Sequence, residues 1–345
     1  MKKAGKILSL ILVFALLMIS AVACSNGNDS GSGNDTPSTA PSENTEPSAE
    51  ESAEPSESAE PFVIGFSNVN DIYPYCIKFR DYLVANAEAE GMEVIVADAA
   101  GDAAVQNGQI DNFIVQGANV VTAISCDLDG SVPAVESAKA AGLPYISFLT
   151  SVRDEGNYPA YIYIGSKNYD AGLLQGQYLS ENLPENAKIL YLTGQPNDQQ
   201  YIDRKAGLVD GLKDRTDVEI LSEQNSNNTK DLGMSITEDW MQAYDQFDAI
   251  VGQNDDSVLG AIEVLKSAGL LDSVITVGLD GSDDGLASIA NGELTMSVLQ
   301  DAKSQAAAAV DVFKQLRDGV DPATIEDLYV PFAAITKDNV AEYME

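Results

Sequence analysis

From residue 62 to residue 277, short β-rich apolar runs alternate with longer stretches in which apolar residues recur three and four apart. The runs at 62–66, 93–97, 119–124 and 144–148 predict four strands, and the stretches at 74–90, 102–115 and 132–141 predict helices between them. In the first helix Tyr75, Phe79, Tyr82, Leu83 and Ala87 share one face; in the second, Val105, Ile110 and Ile114 are expected inward. The alternation then restarts, with strands at 161–164, 188–192, 218–221, 249–251 and 274–277 and helices at 169–183, 201–213, 231–243 and 257–268. Such alternation builds parallel sheets covered by helices on both faces, so the expected fold class is α/β with two doubly wound Rossmann-like lobes and a cleft between them. Each lobe would hold about 140 residues, an ordinary domain size. Trp240, with Ile236 four residues before it and Tyr244 four after, is expected to be a core anchor.

In open sheets of this class ligands sit beyond the carboxyl ends of the strands. Two such ends carry polar residues: Asn254 follows the strand at 249–251 and Asp280 follows the one at 274–277. A planar amide and a carboxylate each offer two directional partners to adjacent hydroxyls. Helix capping accounts for this region equally well, with Asp255 or Asp256 capping one helix and Ser282 the next.

The segment before residue 62 has a different character. Met1-Lys2-Lys3-Ala4-Gly5-Lys6 precedes an uncharged apolar run at 7–23 that ends Ala21-Val22-Ala23-Cys24. A basic start, an apolar run and small residues before a processing point make a secretory signal, the other reading being a single membrane span. The end of the run resembles the lipobox of bacterial lipoproteins, with Ala21 where that motif usually has Leu. The resemblance implies a diacylglyceryl group on Cys24, whose two acyl chains would suffice for stable anchoring. Residues 1–23 would then be the signal peptide and 24–61 a lipidated Cys plus tether. Residues 25–61 are Ser, Gly, Asn, Asp, Thr, Pro, Glu and Ala throughout, too polar to offset the entropy of ordering. As a flexible coil that tether spans on the order of 35 Å.

Across 345 residues there are 19 Lys and Arg against 54 Asp and Glu, a net charge of −35. Three Lys lie in the signal and nine acids in the tether, which leaves 16 basic against 45 acidic residues, a net of −29, in residues 62–345. A chain this acidic is repelled by nucleic acid and by anionic ligands. There is no His, which removes Ser-His-Asp and Cys-His dyads and HExxH zinc sites. The acidic groups around 127–130, 255–256 and 283–284 lack the alternation and distal Glu of a calcium loop, and no GxxxxGK[ST] occurs. No cofactor and no metal are expected, and an enzyme is disfavoured. Cys76 and Cys126 remain beside Cys24, and a disulfide and two free thiols are both open.

Ile64-Gly65-Phe66-Ser67 with Tyr73-Pro74-Tyr75, the stretch from Val132-Pro133 to Gly142-Leu143-Pro144, Gln253-Asn254-Asp255-Asp256-Ser257, Val277-Gly278-Leu279-Asp280-Gly281 and Leu299-Gln300-Asp301-Ala302 together resemble the sugar-binding type I periplasmic binding proteins. The resemblance covers nearly all of residues 62–345. It implies three crossovers, near 164, near 300 and at 325–330, with a first lobe of 62–164 plus 301–325 and a second of 165–300 plus 330–345. Carried over by position, it implies sugar contacts from Asn254, Asp280 and Gln300, ring stacking from Tyr75, and contributions from Tyr73 and Tyr201. After the fourth strand many relatives carry an Asp-Arg pair, whereas this chain reads Phe148-Leu149-Thr150-Ser151-Val152-Arg153. Thr150 is expected at the ligand there, and Arg153 would substitute from three residues on. These departures shift the expected ligand from the usual pentoses and hexoses toward a cyclitol, an unusual sugar or another small polar molecule. The implied protein is a monomeric, lipid-anchored, extracytoplasmic receptor that delivers a small neutral polyol or sugar to an ABC permease. A sensory or quorum-signal receptor of the same fold is the alternative.

Overall fold

The computed structural model describes residues 60–153, 157–196 and 198–344. The signal segment, Cys24 and almost all of the tether lie outside the described residues, and no described helix is long and apolar enough to cross a membrane. Two six-stranded sheets organise the chain. The first is built from β1 (Val63–Asn68), β2 (Glu93–Asp98), β3 (Val120–Ile124), β4 (Tyr145–Phe148) and β5 (Tyr161–Gly165), all parallel. Its helices are α1 (Pro74–Ala89), α2 (Ala103–Val115) and α3 (Val132–Ala141). Every residue of β3 and β4 is buried, as a sheet covered on both faces requires. Phe66, Phe79 and Phe148 meet at centroid distances of 4.9–6.1 Å beneath α1.

After β5 the chain enters the second lobe at α4 (Asn168–Asn182), followed by β6 (Lys188–Thr193), α5 (Gln199–Gly211), β7 (Glu219–Asn225), α6 (Lys230–Ala243), β8 (Ala249–Gly252), α7 (Asp255–Ala268), β9 (Ile275–Asp280), α8 (Asp283–Asn291) and β10 (Met296–Leu299). It then recrosses to α9 (Ala302–Arg317), which packs on α1, and to β11 (Leu328–Tyr329), which pairs with β5. A third crossing, after Tyr329, leads to β12 (Ala333–Thr336), which runs antiparallel to β10 at the edge of the second sheet. Two α/β lobes joined by three crossings are thus observed, with one antiparallel edge that the strand-helix alternation did not predict.

α4 and α5 lie unusually close. A Cβ placed on Gly172 would stand 1.8 Å from the Arg204 carbonyl oxygen, and one on Gly207 2.0 Å from that of Tyr169. Gly176 and Gly211 meet one turn further on. Only this double glycine stripe lets the two backbones touch, and it fixes where Arg204 points.

One inward assignment and one helix cap are corrected. Val105 is 46% exposed, and its neighbour Gln106 is buried instead. The first turn of α2 lies over strand ends, whose backbone groups need partners, and Gln106 supplies them: its amide donates to the Ile124 carbonyl at 2.9 Å and its oxygen accepts from Cys126 N–H at 3.0 Å. The cap of α7 is Asn254, whose side chain accepts from Ser257 N–H, and not Asp255 or Asp256. Ser282 caps α8 as expected. Trp240 is fully buried in the second lobe and its indole donates to the Ser222 hydroxyl.

Candidate functional site

A cavity of about 740 Å³ lies between the carboxyl ends of the two sheets. Its first-lobe wall comes from the segments after β1, β2, β3 and β4, and its second-lobe wall from those after β6, β7, β8 and β10 and from the end of β9. That is where strand ends leave backbone groups and loop side chains free to meet a ligand.

On the second-lobe wall, Arg204 is 4% exposed and holds three partners: its Nε donates to the Asn168 side chain at 3.0 Å, one terminal nitrogen to the Gln253 carbonyl at 2.7 Å, and the other to the Gln300 side-chain oxygen at 3.2 Å. Asn254 caps α7 and donates to the Asn228 carbonyl at 2.9 Å. Asp280 closes β9 with φ 118, a backbone conformation that favours glycine and marks stored strain. Its carboxylate accepts no hydrogen bond from the described residues. Burial pushes its carboxyl well above the usual range, and Asp255 behind it adds to the effect while Arg204 opposes it. Asp198 caps α5, and burial raises its carboxyl too.

On the first-lobe wall, Tyr73 and Tyr75 stand at the start of α1. Tyr75 is 9% exposed and its hydroxyl is tied down within the lobe. Thr150 donates to the Ser125 carbonyl at 3.1 Å, beside Leu149, which has φ 62. Cys76 and Cys126 are free thiols that line the same cavity. Burial pushes Cys126 up to about 12 and Cys76 higher, so neither is a ready nucleophile.

The structure therefore brings Tyr73, Tyr75, Thr150, Asn254, Asp280 and Gln300 to one cavity. It places two others elsewhere. Arg153 is exposed and paired with Asp129, and it does not line the cavity. Tyr201 lies on the outer side of α5, where its hydroxyl meets Glu223. Three residues after Tyr201 on the same helix, Arg204 takes the inward position. Arg204, Asn168 and Asp198 are the site residues that sequence reasoning did not select. The signal that points to Arg204 is the glycine pairing of α4 and α5, which turns this face of α5 inward.

Residues 64–320 match a family model described as a periplasmic binding protein domain. A putative rhizopine-binding protein of Rhizobium meliloti is 32% identical over 260 residues, covering 74% of this chain and 83% of that protein. A xylitol-binding protein of Mycolicibacterium smegmatis is 29% identical over 276 residues, 79% of this chain and 76% of that one. Among solved structures, an ABC transporter solute binding protein from Bacillus halodurans with bound myo-inositol superposes with a TM-score of 0.76 at 29% identity, covering 81% of this chain and 96% of its own. These relatives are named as binding proteins and not as enzymes.

Proposed function

The chain belongs to the periplasmic binding protein domain family, and on that premise we propose that it captures a small sugar or polyol in the interlobe cavity and delivers it to an ABC import permease. The observation that carries this reading is the facing of Tyr73 and Tyr75 on one wall by Asn254, Asp280, Gln300 and buried Arg204 on the other. Aromatic faces suit the C–H face of a polyol ring, while amide, carboxylate and guanidinium groups take its hydroxyls. A ligand that touches both walls binds the closed form better than the open one and shifts the hinge equilibrium by that difference. The exposed ion pair between Lys78 of α1 and Asp283 of α8, at 2.7 Å, already joins the lobes at the rim.

Anchoring through a lipid on Cys24 belongs to the same reading, supported by the apolar run, the small residues before Cys24 and the polar Ser-, Pro- and Glu-rich composition of residues 25–61. It would hold a monomeric receptor at the outer face of the cell membrane. Calorimetric titration with myo-inositol, xylitol and ribose tests the ligand class. A saturable heat from at least one is expected, and silence from all three, together with a wider panel of sugars and cyclitols, would sink it.

A further inference from the structure

Asp280 reaches the cavity from a backbone held at φ 118, a region that only glycine enters freely. Such a conformation persists only where its surroundings impose it. Three hydrogen bonds meet here. The Asp280 carbonyl accepts from Gln300 N–H at 3.1 Å. Of the two amides that follow, Gly281 N–H donates to the Ser297 hydroxyl oxygen at 3.2 Å and Ser282 N–H donates to one carboxylate oxygen of Asp255 at 2.8 Å. Ser297 passes its own hydroxyl proton to the other Asp255 oxygen at 2.6 Å. A single carboxylate thus gathers the turn after Asp280, with one oxygen acting directly and the other through Ser297.

Asp255 does not line the cavity. It is fully buried in the first turn of α7, and its carboxylate occupies a slot kept open by two glycines. A Cβ on Gly278 of β9 would stand 2.2 Å from one of its oxygens, and a Cβ on Gly285 of α8 would stand 2.3 Å from the other. Helix α7 does not need this carboxylate as a cap, because Asn254 already accepts from Ser257 N–H. The turn does need it. Two donors converge on the slot, and an ionised carboxylate is acceptor on both oxygens, whereas an amide would point N–H groups at one of them.

Resting on the reading of this cavity as the ligand site, we propose that Asp255 is a positioning residue: it clamps the Gly281-Ser282 turn so that Asp280 stays in its strained conformation and offers its carboxylate to the ligand. Asp255 itself never meets the ligand. The placement is made on folding, so binding does not have to order that carboxylate. Without the clamp the backbone at Asp280 relaxes and takes the side chain out of register with Asn254 and Gln300.

The test is calorimetric titration of the full chain with myo-inositol, xylitol, ribose and the wider panel of sugars and cyclitols, in the parent and in Ser297→Ala and Asp255→Asn. Ser297→Ala removes the relay and leaves the buried carboxylate in place, so it carries the test even if Asp255→Asn does not fold. Each variant is expected to bind the parent's polyol about tenfold more weakly or worse, the loss of a hydrogen bond to a charged group. Trp240→Phe is the control for lost stability, since it breaks the bond to Ser222 in the core of the same lobe. It should keep affinity within about twofold of the parent. The Cα resonance of Asp280, which reports its backbone conformation, should move in Ser297→Ala and stay in Trp240→Phe, with or without ligand. Unchanged affinity, or an unmoved Asp280 resonance, in folded Ser297→Ala overturns the proposal. Silence from every polyol in the parent strikes the polyol reading instead, and the Asp280 resonance then decides the clamp by itself.

Discussion

The Tyr75 hydroxyl donates a 2.7 Å hydrogen bond to the side-chain oxygen of Gln305, 230 residues further along the chain. Gln305 in turn donates to the Ser166 hydroxyl at 2.7 Å, and Ser166 donates to the Val330 carbonyl at 2.6 Å. The buried chain of bonds starts at the ligand cavity and touches the first crossing at Ser166, the second through α9 and the third at Val330. Tyr75→Phe keeps the ring but strands the buried Gln305 oxygen, at a cost of about 1–3 kcal/mol. Urea unfolding of Tyr75→Phe, Gln305→Leu and the double variant should show the double costing less than the two singles together, because both remove one bond. Strict additivity would mean that the two residues do not act as a unit.

Gly172→Ala is expected to weaken ligand binding although Gly172 does not line the cavity. The added methyl meets the Arg204 carbonyl, so α5 must move off α4 and take Arg204 away from Gln300, with a stability loss of roughly 1–3 kcal/mol. Gly108→Ala on α2, where a Cβ meets nothing, serves as the control and should leave binding unchanged and stability equal or higher. Equal affinity in both variants would show that Arg204 is not held in place by the helix contact.

Arg153→Ala and Tyr201→Phe should leave ligand affinity within about twofold of the parent, the range of surface substitutions away from a site. Both side chains find their partners outside the cavity, in Asp129 and Glu223. A tenfold loss in either, read by the same titration, would return that residue to the site.

Asp255 gives a pH dependence of defined sign. Its carboxylate accepts from the Ser297 hydroxyl at 2.6 Å and the Ser282 N–H at 2.8 Å, yet burial, with Asp256 adding, pushes its carboxyl up to about 6. The unfolded chain releases this proton near pH 4 and the folded chain holds it to about 6, so the Asp255 contribution to stability falls as pH rises from about 4 through 6, in the same direction as that of Asp280, whose carboxyl burial also raises. Chemical denaturation at pH 4 and pH 7 should show a smaller fall in Asp255→Asn. An equal fall in the two proteins would assign the effect to the general acidity of the chain.

Much of this molecule was legible in its apolar spacing. Strands such as β3 and β4 and helices such as α3 and α7 stand within two residues of their predicted limits, because buried β-runs and helical faces are local patterns. Asn254 and Asp280 were reachable from the ends of predicted strands, and Gln300 only through the family resemblance, since the spacing predicted no strand before it. β11 and β12 were not, since strands of two and four residues exist only through pairing with segments far along the chain. Arg204 was missed for a related reason. An arginine on an amphipathic helix reads as solvated, and only the approach of α4 through Gly172 and Gly207 buries it. Val105 and Gln106 exchanged places because hydrophobic spacing does not register an amide satisfying the ends of β1 and β3.

The contact between α1 and α9 sets the order in which the molecule can be completed. Phe79 and Leu83 lie in one apolar cluster with Ala309 and Phe313, yet more than 200 residues separate them. During synthesis every strand and helix of the second lobe except its last strand, β12, is made before the partner of α1 exists, and β11 follows later still. The lobe that begins first therefore waits for its covering helix until nearly all of the other has been made. Until then its aromatic face has no cover, which leaves that surface open to chaperones or to aggregation. A chain truncated before residue 302 would retain every strand of β1 to β5 and still lack the helix that closes their core.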